Sequence, residues 1–386
     1  MTAQCILART LYTGRSVKND VYLTFSGTTI KSIRAKPAAE VVGEFPVVTP
    51  AFIDPHSHIG LVRAGEPASE EEANEKMESI IALADSLDSL QMDDQAFADA
   101  IENGVLYSCI LPGSGNIIGG RSAVIRHYAL DSSEALIGRA GVKAAFGYNP
   151  MSTTSWKGTR PNTRMGAVSL FRKKLDEVAT KLAADKKVKA KKEEAKTLSL
   201  EEKLLAEILA GKVRLRCHVH KIDDIATILR LTEEFPIKVS IEHAMDVHQP
   251  GIYEKLGKKG ITVVFGPLDA FAYKVELKQL KHEAWRNVQH LIASEIPFGL
   301  MTDHPVVLSR NLFLQTRLLV RAGLTKQRAI EVITRQNAEI LGISEVLGVL
   351  ERGKWASFVC FNGDPFDLTS YPSAVYGEGQ LIYKDH

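Results

Sequence analysis

The sequence predicts an α/β fold in which a (β/α)8 TIM barrel carries a small β-sandwich-like domain formed by the N- and C-terminal segments. In the middle of the chain, apolar β-rich runs alternate with amphipathic helical stretches, as in βαβ units around a parallel sheet. Eight such runs within roughly 300 residues favour a closed barrel over a doubly wound sheet. Short β-rich runs open the chain and return at its end, which predicts that the two ends share one β unit.

The domain boundaries follow from these runs. Residues 1–50 and 351–386 are expected to form the small β domain, and residues 51–350 the barrel that carries the functional site. The first barrel strand is expected to begin slightly before that boundary. The eight predicted barrel strands are 47–54, 105–111, 122–128, 142–146, 213–219, 237–243, 261–265 and 296–303.

Composition places the chain among ordinary globular proteins. Hydrophobic residues make up 45% and charged residues 24% of its 386 residues, which is enough apolar material for a substantial core. Lysine and arginine total 48 against 46 aspartate and glutamate, so the formal net charge is only +2. No broad basic surface is therefore expected, and nucleic acid is excluded as a predicted partner.

Targeting signals and disulfides are also not predicted. The sequence has no basic segment followed by a long apolar one at its start, and no membrane-spanning run of roughly eighteen apolar residues, so we expect a soluble cytoplasmic protein. The four cysteines, Cys5, Cys109, Cys217 and Cys360, lie far apart without a CxxC spacing. This spacing argues against both a disulfide framework and a thiolate zinc site.

Two further segments have ordinary interpretations. The lysine-rich stretch 181–196 has mixed charge and helical propensity, and we interpret it as a solvated surface helix. The glycine-rich stretch 112–121 lacks the Lys-Ser/Thr of a P-loop and the GxGxxG spacing. We therefore interpret it as a tight βα loop near the functional site, not as a phosphate-binding loop.

The strongest local signal is the sequence DPHSH, in which His56 and His58 end an apolar strand. Residues i and i+2 of a strand face the same side and lie about 7 Å apart along it. Two neutral imidazoles aimed into the mouth of a barrel are suitable ligands for Zn²⁺, Fe or Mn²⁺. Taken alone, the pair is explained equally well as two incidental surface histidines.

Three further strand ends each supply a metal-binding side chain. His218 and His220 end one predicted strand, His243 ends the next, and Asp303 ends the last. In TIM barrels the catalytic residues lie at the C-terminal ends of the strands, where the βα loops gather. A lone His243 is more often a buried structural histidine, and a lone Asp303 a helix N-cap before Pro305. Agreement among four strand ends favours a single metal site.

This order of residues, HxH, then His, then His, then Asp, on an alternating β/α chain resembles the amidohydrolase superfamily. The stretch TPAFIDPHSH is similar to the first-strand signature of that family, with Ala51 in place of the usual glycine. The stretches PGSGNIIGG, HVHKIDDIATILRLTEEF, SIEH and TDHPVV resemble the imidazolonepropionase-related branch. Tyr148 stands where that branch more often has an acidic residue, and Trp355 and Ser357 replace aspartates of its closing segment.

The resemblance implies a divalent metal centre with one or two ions per chain. Zinc is the expected metal, with iron and manganese as alternatives, because imidazole and carboxylate ligands accept all three. The implied ligands are His56, His58 and Asp303 for the more buried ion, and His218 and His243 for the second.

The resemblance also suggests a bridging ligand. Lys143, in GVKAAFG at the end of the fourth strand, matches a lysine that becomes carboxylated in related enzymes and bridges both ions. An ammonium beside two dications is strongly disfavoured, which suits a neutral or carbamylated lysine. The equal alternative is an ordinary lysine that extends from a strand end. Glu66, eight residues after His58, is a weaker candidate for a bridging carboxylate.

The implied reaction is hydrolysis of a C–N bond in a small cyclic amide or N-acyl compound. A bound metal lowers the pKa of water from about 15.7 toward roughly 7 and polarises the scissile carbonyl. Asp303 would take the proton of the water and pass it to the leaving nitrogen, which cannot depart as an amide anion.

Three residues outside the implied ligand set are candidates for contacts with the substrate. His220, two residues after His218, could contact the substrate or the developing oxyanion, or act behind a ligand. Arg160 and Arg164, after the fourth strand, could hold a substrate carboxylate through paired hydrogen bonds, although exposed arginines are common. His304 is expected to point away from the metal and to be structural.

Other functions remain open on the same residues. A mononuclear deaminase or a lactonase would use the same ligands. A non-catalytic relative kept as an oligomeric scaffold is the alternative outside the enzymes, but such relatives usually lose metal ligands first. We expect a small-molecule substrate and no nucleic acid or membrane partner, and a homo-oligomer is possible. The identity of the substrate depends on loop shapes and is not predicted.

Overall fold

The computed structural model of the protein describes residues 2–63, 65–190, 198–268 and 280–385. Two sheets organise this part of the chain, one of seven strands and one of eight. Helices pack against the eight-stranded sheet, and their buried apolar residues join those of the strands in one hydrophobic core. This mixed α/β arrangement fits a (β/α)8 barrel accompanied by a separate β unit.

The terminal segments form the seven-stranded sheet. Its strands are β1 (Gln4–Tyr12), β2 (Val17–Ser26), β3 (Thr29–Arg34), β4 (Glu40–Pro50), β13 (Phe358–Phe361), β14 (Pro372–Gly377) and β15 (Gln380–Lys384). They lie in the order β15-β14-β13-β4-β1-β2-β3, so β4 and β13 join the two ends of the chain.

This sheet curls over its own side chains. The ring of Phe25 on β2 lies 5.5 Å from that of Phe358 on β13 and 5.7 Å from that of Tyr376 on β14. In a flat sheet β2 and β13 would be roughly 14 Å apart, because each strand step is about 4.8 Å. The packing is therefore sandwich-like, although the strands belong to one continuous sheet. We propose that residues 1–50 and 351–386 form this unit as a domain of their own.

The strands of the eight-stranded sheet lie, in sequence, between the N-terminal and C-terminal strands of the first sheet. Its strands are β5 (Phe52–Ser57), β6 (Val105–Ile110), β7 (Ile118–Arg126), β8 (Leu136–Ala145), β9 (Leu215–Val219), β10 (Val239–His243), β11 (Thr262–Phe265) and β12 (Phe298–Leu300). They follow one another in sequence order across the sheet. The pair β5 and β6 and the run from β8 to β12 are parallel.

The helices show the expected apolar periodicity. In α6, for example, Ile225, Ile228 and Leu229 are buried at positions i, i+3 and i+4. The helices are α1 (Gln95–Glu102), α2 (Ser132–Ala135), α3 (Tyr148–Met151), α4 (Arg164–Ala190), α5 (Leu200–Leu209), α6 (Ile222–Glu234), α7 (Gly251–Lys258), α8 (Val288–Ala293), α9 (Leu312–Arg321), α10 (Lys326–Glu331) and α11 (Asn337–Leu341).

Three features of composition can be compared with this structure. Among the described residues, no helix has both the length and the apolar character needed to cross a membrane. All four cysteines lie in the described ranges and are buried free thiols. The predicted surface helix 181–196 corresponds to the end of α4 as far as Ala190, and its remaining residues lie outside the described part of the chain.

The orientation of β7 differs from the expected parallel arrangement. β7 pairs antiparallel with both β6 and β8. The segment 111–117 that joins β6 to β7 is too short for a helical crossover, and only such a crossover allows two consecutive strands to be parallel. For the same reason the interpretation of 112–121 as a βα loop is wrong, since this stretch joins two strands and its last residues belong to β7.

The predicted strand 47–54 is divided between the two sheets. β4 ends at Pro50 and β5 begins at Phe52. The backbone N–H of Ala51 donates to the carbonyl of Ser357 at 3.0 Å, whereas that of Phe52 donates to the carbonyl of Gly104 at 2.9 Å. The chain therefore changes hydrogen-bonding partners between neighbouring residues and leads directly from the β unit into the barrel.

The barrel closes where β5 meets the segment that follows β12. The backbone N–H of Asp303 donates to the carbonyl of His56, and that of His58 donates to the carbonyl of His304, each at 3.0 Å. These bonds bring the two ends of the eight-stranded sheet together. They also place three of the predicted site residues side by side.

A second link between β5 and β12 comes from α11, the last helix before the C-terminal strands of the β unit. A π-helical segment, Val332–Gln336, links α10 to α11. Immediately after it, the buried side chain of Asn337 donates from Nδ2 to the carbonyls of Ile53 (2.7 Å) and Leu300 (3.1 Å). One amide thus bridges β5 and β12.

We expect Asn337→Ala to lower the free energy of unfolding by about 1–3 kcal/mol, because it leaves buried carbonyls without their donor. Denaturant unfolding followed by circular dichroism would measure the loss. Asn103→Ala is the control, since Asn103 donates to the carbonyl of Asp99 at a partly exposed helix end. Equal effects of the two substitutions would contradict a role for Asn337 in closing the barrel.

Candidate active site

Seven of the residues singled out in the sequence lie in one cluster at the carboxyl ends of the barrel strands. β8 contributes the lysine, β5, β9 and β10 contribute one histidine each, and the segments after β5, β9 and β12 complete the group. The members are His56, His58, Lys143, His218, His220, His243 and Asp303. The ring centroids of His56 and His243 are 5.0 Å apart, and those of His218 and His243 are 4.1 Å apart.

The backbone is strained at two of these positions. His243, the last residue of β10, has a φ of 78°, and Asp303 has a φ of 51°. Histidine and aspartate tolerate this left-handed region better than most residues, but it still costs free energy. The strain falls where side chains from separate strands converge, which is typical of functional sites.

Two histidines are oriented by backbone carbonyls. Nδ1 of His58 lies 2.7 Å from the carbonyl oxygen of Leu111, and Nδ1 of His243 lies 3.0 Å from that of Gly266. A carbonyl can only accept a hydrogen bond, so each Nδ1 must carry the proton. The lone pair of each ring is consequently on Nε2, the nitrogen that faces the cluster.

The outer nitrogens of the other two predicted ligand histidines contact side chains. Nδ1 of His218 lies 2.8 Å from Oγ of Ser114, and Nδ1 of His56 lies 2.8 Å from Oε2 of Glu242. Within the described residues, Nε2 of His218 and Nε2 of His243 are buried and have no hydrogen-bond partner. Most buried polar atoms have a partner, and a metal cation would satisfy the lone pair of a ring nitrogen at either position.

Lys143 and Asp303 face the inward nitrogens. Nζ of the buried Lys143 lies 3.0 Å from Nε2 of His56. Oδ1 of Asp303 lies 3.4 Å from Nε2 of His56 and 3.2 Å from Nε2 of His58. Nitrogen and oxygen donors from different strands therefore point to a common centre.

Burial keeps four of the imidazoles in the cluster neutral. It lowers the pKa of His56 to about 3 and that of His220 to about 4, and Lys143 adds to the effect at both. The pKa values of His218 and His243 also lie well below the usual range because of burial. Neutral imidazole is the form that binds metal.

The two other ionisable groups are shifted in directions that suit a cation. Burial lowers the pKa of Lys143 to about 8, so a neutral amine is accessible near physiological pH. Burial would raise the pKa of Asp303, but His243 and the hydrogen bond with His58 outweigh it and hold that pKa below its usual range.

The donor atoms form two overlapping groups that could hold metal ions. One consists of His218, His220 and His243, and the other of His56, His243 and Asp303, with the ligand atoms of each group within 4.8 Å of one another. His243 belongs to both. The first group also places His220, predicted to act on the substrate, within ligand range. These donors fit a divalent transition metal such as zinc.

Sequence reasoning missed the residues that orient the histidines. Glu242 and Arg216 are almost completely buried and are bonded to each other, and Glu242 in turn contacts His56. The available signal was a charged residue within each of two buried strands, LRCHV and VSIEH. Ser114 gave no signal beyond its place in a glycine-rich loop.

Arg160 lies in the loops beside the cluster. Its guanidinium is 5.2 Å from the ring of Trp156, and that ring packs against Gly115, next to the Ser114 that contacts His218. Nε of Arg160 donates to the carbonyl of Lys157 at 2.7 Å. Its two terminal nitrogens are buried without a hydrogen-bond partner among the described residues, and burial lowers the pKa of the side chain.

Other candidates have partners of their own. Arg164, at the start of α4, forms an ion pair with Asp224 at 3.0 Å. Glu66 is paired with Arg63 in the loop after β5, so the structure does not bring it into the cluster. Nδ1 of His304 accepts a hydrogen bond from the backbone of Ser309 at 3.2 Å.

Comparison with known proteins gives a consistent result. A family model described as "Amidohydrolase family" matches residues 47–381. The chain is 25% identical over 362 residues to "Amidohydrolase tasK" of Hapsidospora irregularis, an alignment that covers 88% of this chain and 36% of that protein. It is 23% identical over 194 residues to an imidazolonepropionase of Thermoplasma acidophilum, covering 48% of this chain and 45% of that protein. The matches thus span less than half the length of either relative.

Solved structures with the same fold include close and distant examples. An amidohydrolase from Thermotoga maritima superimposes with a TM-score of 0.91 at 29% identity, over 99% of this chain and 100% of that one. The ochratoxinase of A. niger superimposes with a TM-score of 0.61 at 15% identity, over 99% and 96% of the two chains. The second likeness concerns the fold alone.

We expect His243→Asn to weaken zinc binding by on the order of tenfold or more, because His243 belongs to both donor groups. Asparagine tolerates the left-handed backbone at this position, so the fold should persist. Titration against a competing chelator would measure the affinity. His290→Asn on α8, outside the cluster, is the control. Unchanged zinc affinity in the His243 variant would contradict the assignment of these donors.

Proposed function

The chain belongs to the amidohydrolase family, and from this premise we propose that it is a metal-dependent hydrolase that cleaves a C–N bond in a small cyclic amide or N-acyl compound. The observation that carries the proposal is the orientation of four buried imidazoles. Each has Nδ1 within hydrogen-bond distance of an oxygen, and Nε2 of His56 and of His58 lies beside Asp303, whereas Nε2 of His218 and of His243 is buried without a partner among the described residues. Ring nitrogens available as ligands together with one carboxylate support a hydrolytic metal site at this position.

The residues that would hold the metal come from five strand ends. A divalent ion held there makes water a stronger acid and withdraws electron density from a carbonyl group. Zinc is the metal we propose, at one or two ions per chain, with iron or manganese as alternatives. The proposed ligands are His56, His58, Lys143, His218, His243 and Asp303.

Asp303 is proposed to move the proton. Its low pKa keeps it ionised, and its Oδ1 lies beside Nε2 of both His56 and His58. The carboxylate accepts a proton as the oxygen of water bonds to the carbonyl carbon. It then donates this proton to the nitrogen as the C–N bond breaks, so that the products are a carboxylic acid and a neutral amine.

Lys143 is proposed to act as a carbamate. Its pKa of about 8 makes the neutral amine accessible, and a neutral amine adds to CO2 with release of one proton. The product would carry a negative charge shared by two oxygens and would be a suitable ligand for a divalent ion. An ammonium in the same buried position would oppose cation binding.

Substrate contacts are proposed for His220 and Arg160. Nδ1 of His220 is buried without a hydrogen-bond partner among the described residues, and its ring lies 4.8 Å from that of His243. It is therefore placed to donate to an oxygen of the substrate. The two unpartnered terminal nitrogens of Arg160 form a fork that matches a carboxylate, whereas Arg164 already holds Asp224.

The reaction is tested with zinc-loaded protein and a panel of cyclic amides, N-acyl amino acids, lactones and aminated heterocycles. We expect one amine and one carboxylate to appear for each amide bond cleaved.

Asp303→Asn should lower kcat by about 10²–10⁴-fold, because the proton shuttle is lost. Asp20→Asn is a matched control, since Asp20 is an exposed aspartate with the same φ of 51°. Release of ammonia would indicate a deaminase, turnover of lactones alone would indicate a lactonase, and full activity of Asp303→Asn would contradict the mechanism.

We expect Arg160→Gln to raise KM about 10- to 100-fold for substrates that carry a carboxylate, through loss of a charge-assisted hydrogen bond. The same variant should process an uncharged analogue with nearly normal KM. Arg164→Gln is the comparison, because that guanidinium is occupied by Asp224. Similar effects on charged and uncharged substrates would rule out carboxylate binding by Arg160.

A further inference from the structure

A buried ion pair lies in the barrel interior directly behind His56. Arg216 of β9 donates from Nε to Oε1 of Glu242 at 3.1 Å and from Nη2 to Oε2 at 2.9 Å. The same Oε2 lies 2.8 Å from Nδ1 of His56. The side chains of both Glu242 and His56 are 0% exposed, and that of Arg216 is 2% exposed.

Every polar atom of this pair has a partner. The Nη2 group of Arg216 also donates to the carbonyl of Pro55 at 2.6 Å, and its Nη1 donates to Sγ of Cys109 at 3.0 Å. Oε1 of Glu242 accepts a further bond from Oγ of Ser240 at 2.5 Å. The carboxylate is therefore fixed on both oxygens and cannot rotate away from His56.

Sheet register produces this arrangement. Ser240 on β10 is paired with Arg216 on β9, and Glu242 is paired with His218. Side chains two residues apart share a face of the strand. The pair consequently forms a layer beneath the histidines, between the core of the barrel and the cluster.

Stability alone does not account for such a pair. Burying two charges costs several kcal/mol for each ion, and a packed apolar pair of similar volume is often as stable or more so. Glu242 differs from the other groups that orient the ligand histidines, which are carbonyls at His58 and His243 and a hydroxyl at His218. It is the one full negative charge among them.

We propose that Glu242, anchored by Arg216, is a positioning residue that fixes the tautomer and the ring orientation of His56 and makes its Nε2 the most basic of the four inward nitrogens. A carboxylate that accepts the Nδ1–H of an imidazole polarises the ring and strengthens the opposite lone pair as a donor. The inference rests on the proposed metal site. It adds that this site is asymmetric, with the ion nearest His56 held more tightly.

Zinc affinity tests the proposal. Glu242→Gln keeps the shape of the side chain but removes its charge, and we expect it to weaken the tighter zinc site by about 10- to 100-fold. Glu331→Gln is the matched control, because Glu331 is also a buried acid bonded to two arginines, Arg328 and Arg335, but lies on α10. It should lose stability without changing zinc affinity. Equal zinc affinity of Glu242→Gln and the unchanged protein would overturn the proposal.

A measurement on the unchanged protein covers the case in which Glu242→Gln does not fold. In metal-free protein labelled with ¹⁵N-histidine, long-range NMR correlations report which ring nitrogen carries the proton, and His56→Asn identifies the resonances of His56. We expect a proton on Nδ1 and a bare Nε2. A proton on Nε2 would overturn the positioning role even if zinc binds. The Nδ1–H form in a protein that binds zinc but cleaves no amide would support it and reject only the proposed function.

Discussion

The site depends on one constraint, which is that each ligand histidine has its outer nitrogen occupied. An imidazole can turn either nitrogen toward a cavity, and in a buried barrel the choice is decided by the acceptor on the far side. Carbonyls perform this task for His58 and His243 because the strand and loop backbones already lie behind those rings. Burial then keeps the rings of His218 and His243 neutral, which is the form that can bind a metal ion. These hydrogen bonds are therefore the means by which the fold determines which ring nitrogen is available as a ligand.

Barrel closure and site assembly are the same event. The backbone bonds between Asp303 and His56 and between His58 and His304 join the first strand of the barrel to the end of the last. A ligand pair contributed by β5 can face the carboxylate that follows β12 only when this seam is formed. Asn337, which directly follows a π-helical segment, adds side-chain hydrogen bonds to both of these strands. Through Asn337, α11 thus supports the geometry of the site.

The sequence was most informative where polar residues interrupt apolar strands. HxH at the end of one strand, His218 and His243 at the ends of two others, and Asp303 after the last could be found because strand ends share one side of a barrel. The direction of β7 was predicted wrongly although the predicted strands 105–111 and 122–128 leave only residues 112–121 between them, a connection short enough to favour an antiparallel pair. Glu242 and Arg216 escaped notice for a different reason. They bond to each other across β9 and β10, and Glu242 also contacts His56 on β5, and the local sequence pattern does not reveal such contacts between strands.

Charge balance explains why the layer beneath the site is an ion pair and not a lone carboxylate. If two divalent ions occupy the cluster, Asp303 and a carbamate on Lys143 supply two negative charges beside them. A third uncompensated carboxylate behind His56 would favour the imidazolium form, so the ring would gain a proton on Nε2 and present a cation where a lone pair is needed. Arg216 opposes this, because its two hydrogen bonds hold Glu242 as the anion and offset part of its charge. The barrel can therefore direct the proton of His56 without altering the net charge that the ions meet.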